Sequence, residues 1–231
     1  MKIIPPCEAE LKDSGLIGRT VLCDGLNAFP GLIDQHIHIT GGGGEHGFSE
    51  HVTEIHIYDI INAGVSTVAG LLGADGVTRS LEALFAKAKT LEELGLSTYI
   101  YSGSYAMPPV SFTGSVLRDI ILIDKVIGAG EIAISDHRSS QPDLPDMMKL
   151  ASEVHLGGMI SGKAGVLHIH VGDGKKGLEP LVKILDESDL PIGMFVPTHL
   201  NRNPELFRQA TEYCRSGGNI DLTAGEKAGL P

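Results

Sequence analysis

The chain has 231 residues, 42% of them hydrophobic, enough apolar material for one large domain or two small ones. Its 29 acidic residues outnumber 18 basic ones for a net charge of −11, and without a basic cluster this argues against nucleic acid or an anionic membrane as partner. No apolar stretch is long enough to span a bilayer, Met1 to Pro6 lacks the apolar region of a signal peptide, and Cys7, Cys23 and Cys214 are too scattered for a disulfide framework or cysteine zinc cluster. The cytoplasm is the expected compartment.

Residues 1–29 are weakly patterned, with one predicted strand over Arg19–Asp24. The segment is too short for a domain and reads as the remnant of a small β domain. Pro30-Gly31 then leads into Leu32–Ile39, an apolar, β-branched run bounded by glycines Gly41 to Gly44, which predicts a buried strand. Side chains alternate along a strand, so Asp34, His36 and His38 share a face. Two imidazoles one pleat apart can share a metal ion, and Asp34 is placed to support them. A lone histidine would read as an ordinary core residue; His-X-His opening into a glycine loop reads as metal-binding.

Helices and strands then alternate. Helices are predicted over Thr53–Ala63, Ser80–Leu94, Ser115–Ile127 (stopped by Gly128), Asp143–Val154, Leu178–Asp186 and Pro204–Arg215. Strands are predicted over Val65–Leu72, Ser97–Tyr101, Ile132–Ser135, Val166–His170, Met194–His199 and Asn219–Thr223. Such alternation implies right-handed crossovers and a parallel sheet. No GxGxxG or P-loop pattern opens a helix, which weighs against an open nucleotide-binding sheet. Polar residues of ligand type instead recur at strand ends: His36, His38, Tyr105, His170 and His199. In a (β/α)8 barrel all strand ends converge on one mouth. The expected architecture is therefore an α/β barrel of this type over residues 30–231. It is expected to be incomplete, with seven strands where closure needs eight.

Within Val166–Val171, His168 and His170 share a face. His170 lies nearer the mouth and is taken as the ligand, while His168 is expected one layer down as a core histidine. His46, His51, His56 and His155 read as surface or structural residues, and the pattern does not place His137 at the metals. Four histidines serve two metal ions only if an anionic ligand bridges them. Such a pair lowers the pKa of a shared water and creates hydroxide near neutral pH.

Pro30-Gly31-Leu32-Ile33-Asp34-Gln35-His36-Ile37-His38 resembles the first-strand signature of the amidohydrolase superfamily. Gly41 to Glu45, Ser135 to Ser139, Gly172 to Lys176 and Pro197 to Asn203 resemble one branch, the isoaspartyl (β-aspartyl) dipeptidases, from about Arg19 onward. The resemblance implies a TIM barrel with a small β-sandwich domain, two divalent metal ions expected as zinc, and hydrolysis of β-aspartyl dipeptides. It also implies a homo-oligomer. His36 and His38 would bind one metal, His170 and His199 the other. Glu45 would take the substrate ammonium, Tyr105 would hydrogen-bond the carbonyl oxygen, and Arg138 and Arg202 would clamp substrate carboxylates. For each arginine the plain alternative is a surface ion pair.

Two departures stand out. Where the resemblance implies a carboxylated lysine bridging the metals, seven residues before Arg138, this chain has Glu131. Glu131 carries its own carboxylate on a shorter stem, and the strand pattern alone would put it at the wrong end of its strand. Second, the aspartate expected from an eighth strand, as metal ligand and general base, has no counterpart before Pro231, and Asp221 does not match its motif. The chain by itself is therefore expected to be a weak or inactive peptidase. The alternatives are another cyclic amidase or deacetylase of the superfamily, or a non-catalytic metal-binding remnant.

Overall fold

The computed structural model describes residues 25–225. The expected strand Arg19–Asp24 and most of the 1–29 segment lie outside them, as do residues 226–231. Residues 25–31 carry no helix or strand. The described residues from Leu32 onward form one compact unit.

Six strands form a single sheet in the order β1-β2-β3-β4-β5-β6, with every neighbouring pair parallel. They are β1 (Leu32–Ile37), β2 (Val65–Gly70), β3 (Ser97–Ser102), β4 (Val126–Ile134), β5 (Val166–Val171) and β6 (Phe195–Thr198). Between them run α1 (Ile57–Asn62), α2 (Leu81–Glu93), α3 (Val116–Leu122), α4 (Leu144–Ser161) and α5 (Glu179–Asp186), with α6 (Pro204–Arg215) after β6. Each strand pairs with the next in sequence, so the sheet curls in one direction as a half-barrel. The core lies between sheet and helices, where Val68, Leu84, Ile100, Ile120, Ile132, Leu150, Ile169 and Phe195 are fully or almost fully buried. Each such side chain contributes about 1.5–3 kcal/mol. Helix starts are capped by Ser80, Asp143 and Asn203, whose side chains accept from Ala83, Asp146 and Leu206 N–H. Among the described residues no helix is long and apolar enough to cross a membrane.

The structure corrects three sequence expectations. Among the described residues six strands form, not the expected seven. Residues 219–223 lie beside β6 through Asp221 N to Pro197 O (2.9 Å) and Leu200 N to Asp221 O (3.4 Å), without becoming a regular strand. Pro197 accepts on that side but has no N–H to return, so the ladder lacks a rung. The helix expected over Ser115–Ile127 stops at Leu122, because Val126 and Ile127 already belong to β4. Lys163 Nζ donates to the carbonyls of Ile120 and Ile123, both at 2.6 Å. Gly128 is not a helix stop; a Cβ there would meet Val166 O at 2.0 Å, so it lets β4 and β5 approach. Finally, α4 runs on through Gly157-Gly158 to Ser161 and ends at Gly162 in the left-handed conformation (φ 67°). A Cβ on Gly158 would lie 2.6 Å from Gly165 Cα, so close packing outweighs poor helix propensity.

Candidate metal and substrate site

The ligand-type side chains gather at the C-terminal ends of the strands, on the face away from the helices. His36 sits near the end of β1 and His38 just beyond it. Glycines leave room for the His38 ring: a Cβ on Gly73 would come within 3.0 Å of its Cε1, and one on Gly42 within 3.3 Å of its Cγ. Glu131 lies in the second half of β4. Between Ala129 and Ile132 the register with β5 shifts, two β4 residues facing the single His168. A bulge of this kind re-aims a side chain. The Gly128-Ala129-Gly130 run has little strand propensity, which explains why sequence pattern alone starts this strand at Ile132. His170 projects from β5, and His199 follows β6 with φ 65°, a left-handed turn uncommon outside glycine.

Glu131 is fully buried and is the hub. Its Oε1 lies 3.5 Å from His36 Nε2 and 3.6 Å from His38 Nε2. Its Oε2 lies 3.1 Å from His170 Nδ1 and 3.4 Å from His199 Nε2. The edge of a tetrahedron with ligands about 2.0–2.1 Å from its centre is about 3.3–3.4 Å, so these spacings suit ligands around an ion. Moreover, Oε1 is buried without any hydrogen-bond partner, an unfavourable state for a carboxylate unless a cation completes it. Complete burial pushes the Glu131 pKa up, but contacts with His170 and His199 and the nearby His36 outweigh it and hold the carboxyl well below its usual range. Burial also pushes His36 down to about 3, although Glu131 opposes this. A neutral imidazole beside an ionised carboxylate is the donor set a divalent cation requires. The triads His36–His38–Glu131 and Glu131–His170–His199 share one carboxylate, and the residues fit a bridged pair of ions.

No family model matches the chain. A solved β-aspartyl dipeptidase from the thermophilic keratin-degrading Fervidobacterium islandicum AW-1 is 59% identical, with a TM-score of 0.83 over 84% of this chain and 53% of that one. A β-aspartyl dipeptidase of the same organism in complex with β-Asp-Leu dipeptide shows the same identity, TM-score and coverage of this chain, over 51% of its own length. Over most of its length the chain is similar in sequence and fold to these β-aspartyl dipeptidases. It spans about half the length of these solved proteins.

The residues expected to bind a family substrate lie beside the histidines. Tyr105 is buried, its hydroxyl 2.7 Å from His170 Nδ1. Burial pushes its pKa up, so the phenol stays protonated. Arg138 donates to Glu45 Oε1 at 2.8 Å, pairing two residues expected to hold opposite charges of one ligand. Arg202 lines a cavity of about 240 Å³ with Asp136, His137, Arg138, Asp173 and Gly174. A larger groove, about 710 Å³, lies at the opposite end of the sheet near Ser97 and Lys125, away from these residues.

Three contacts to the ligand-type rings escaped sequence reasoning. Asp136 Oδ2 lies 2.8 Å from His170 Nε2 and 2.7 Å from Arg138 Nη2, while Oδ1 accepts from Arg138 Nε at 3.0 Å. Arg138 Nη2 is also 3.2 Å from His170 Nε2, but the Asp136 carboxylate is the closer neighbour of that nitrogen, at 2.8 Å, and can only accept. His170 Nε2–H therefore donates to Asp136, which leaves Nδ1 facing Glu131. Against the effect of burial, Arg138 and His170 hold the Asp136 carboxyl far below its usual range. Gly172 makes this contact fit, since a Cβ there would sit 2.4 Å from Asp136 Oδ2. Thr223 hydrogen-bonds His199 Nδ1 through its hydroxyl and is clamped by Asn201, which accepts from Thr223 N and donates to Thr223 O, both at 2.9 Å. His168 contacts His36 directly (Nε2 to Nδ1, 2.7 Å). Asp34, expected to support an imidazole, instead accepts from His36 backbone N–H at 3.0 Å. Asp136 stands inside the Ser135–Ser139 stretch, two residues before Arg138, and that was its signal in the sequence. Alternation placed His168 on the face of His170 but not beside His36, and Thr223 gave no signal, because the partners lie far away in the chain.

Proposed function

We propose that this chain carries the metal and substrate site of a hydrolase for β-aspartyl dipeptides, with two zinc ions held by His36, His38, Glu131, His170 and His199. The observation that carries the reading is that each oxygen of one buried carboxylate faces two imidazole nitrogens. Bound there, the ions would supply Lewis-acid activation of water near neutral pH. Glu131 supplies the shared negative charge, and Asp136 keeps His170 in the binding orientation.

Tyr105 donates its hydroxyl to the scissile carbonyl oxygen as charge develops there, the role its raised pKa suits. Its current partner is His170 Nδ1, so the hydroxyl becomes free once that nitrogen is engaged. Glu45 takes the α-ammonium group, and Arg138 with Arg202 takes the carboxylates. A β-aspartyl dipeptide brings both charges and so replaces the Glu45–Arg138 ion pair with two new ones. An α-linked isomer places its ammonium and carboxylates at different separations and cannot satisfy the same three residues. The β-Asp-Leu complex of the similar Fervidobacterium islandicum dipeptidase supports this substrate class. In the same proposal the protein works in the cytoplasm as a homo-oligomer.

The test is calorimetric titration of the zinc-loaded chain with β-Asp-Leu and α-Asp-Leu, alongside release of leucine. Preferential binding of the β-linked peptide is expected. Equal affinity for both, or no binding of either, overturns the reading.

A further inference from the structure

His36 can bind an ion through Nε2 only if that nitrogen keeps its lone pair, and the proton of the neutral ring then sits on Nδ1. Nδ1 points into the protein, 2.7 Å from His168 Nε2. His168 is itself fully buried, and its ring is stacked on Tyr101 with centroids 5.2 Å apart and planes 12° apart. We infer that His168 is a positioning residue: it accepts the Nδ1–H of His36 and so fixes that ring in its metal-binding tautomer. The inference rests on the binuclear reading above.

The surroundings of the other rings say which ion should feel its loss. His170 has Asp136 behind it, and His199 has the Thr223 hydroxyl. His38 Nδ1 is buried without a partner. His168 is therefore the one ring-orienting partner found at the His36–His38 position among the described residues. Without an acceptor there, binding through Nε2 would strand a buried N–H. The arrangement is also asymmetric. A carboxylate is hydrogen-bonded to His170, whereas His36 is bonded to a neutral imidazole and the nearby Asp221 carboxylate, within 4.8 Å of His36 and His168, makes no hydrogen bond to either ring, so the His36–His38 ion should be the weaker of the two. His168 has its own cost: its Nδ1 is buried and unpartnered, which a histidine retained only for packing would not need.

The experiment uses the full chain with zinc as the probe. His168→Phe keeps a flat ring against Tyr101 but removes the acceptor; His168→Gln puts an amide oxygen near the same place. Zinc titration of metal-free protein should give two equivalents for the parent chain. His168→Phe should keep one and bind the other about 10–100-fold more weakly, and His168→Gln should recover most of the loss. Cobalt substitution should show a changed visible spectrum for one ion only. In the zinc-loaded parent, a nitrogen–nitrogen coupling from His36 Nδ1–H to His168 Nε2 should be visible by NMR. That last measurement decides the matter if His168→Phe does not fold. Two unchanged equivalents in His168→Phe, equal weakening of both ions in both variants, or absence of the coupling overturns the inference while leaving the binuclear reading in place. Failure of the parent chain to bind zinc overturns both.

Discussion

Glu131→Gln is the sharpest perturbation of the site, because it removes one charge with almost no change of shape. Oε1 serves the His36–His38 side and Oε2 the His170–His199 side, so a single substitution should disable both ion positions. An ion present at 100 times its dissociation constant stabilises the folded state by about 2.7 kcal/mol, and two such sites by about 5 kcal/mol. For a domain of this size each kcal/mol raises Tm by roughly 2–4 °C, so zinc should raise the melting temperature of the parent chain by roughly 10–20 °C. In the metal-free protein the substitution trades lost histidine contacts against relief from burying a charge, and the two effects oppose each other. The expected signature is a Glu131→Gln chain that melts near the metal-free parent and gains little from zinc. The assay is a thermal melt by circular dichroism, with and without excess zinc after chelation. A full zinc-dependent rise in the variant would refute the role assigned to Glu131.

Because Glu131 brings its own carboxylate, zinc content after reconstitution should be the same with and without bicarbonate; a bicarbonate requirement would point to a carbamate elsewhere. Asp136→Asn should weaken zinc about 10–100-fold at the His170 position and also lower affinity for β-Asp-Leu by releasing Arg138, both read by calorimetry. Gly172→Ala pushes a methyl group against Asp136, and overpacking of this kind should destabilise the metal-free chain by about 1–3 kcal/mol, measured by urea unfolding; an unchanged midpoint would show that Asp136 is free to move.

Much of this protein is legible in its sequence because periodicity records burial. The alternation of helix and strand, the inward His36 and His38, and the bounds of Pro204–Arg215 all follow from local pattern, with Pro at the start and Gly217 after the end of that last helix. Periodicity does not record which strand lies beside which, or in what register. The aim of Glu131 depends on a shift between β4 and β5, and its strand is hidden by glycines that the sheet needs for close approach. Likewise, α4 passes through two glycines because Ile120 and Gly165 pack against them. The partners that orient the rings are set the same way. His36 meets His168 across 132 positions of sequence, and Asp136 meets His170 across 34. Sequence alone supplied the ligand types and the strand ends that carry them. Only the curl of the sheet, which brings those ends together around one buried carboxylate, decided that they form a single centre.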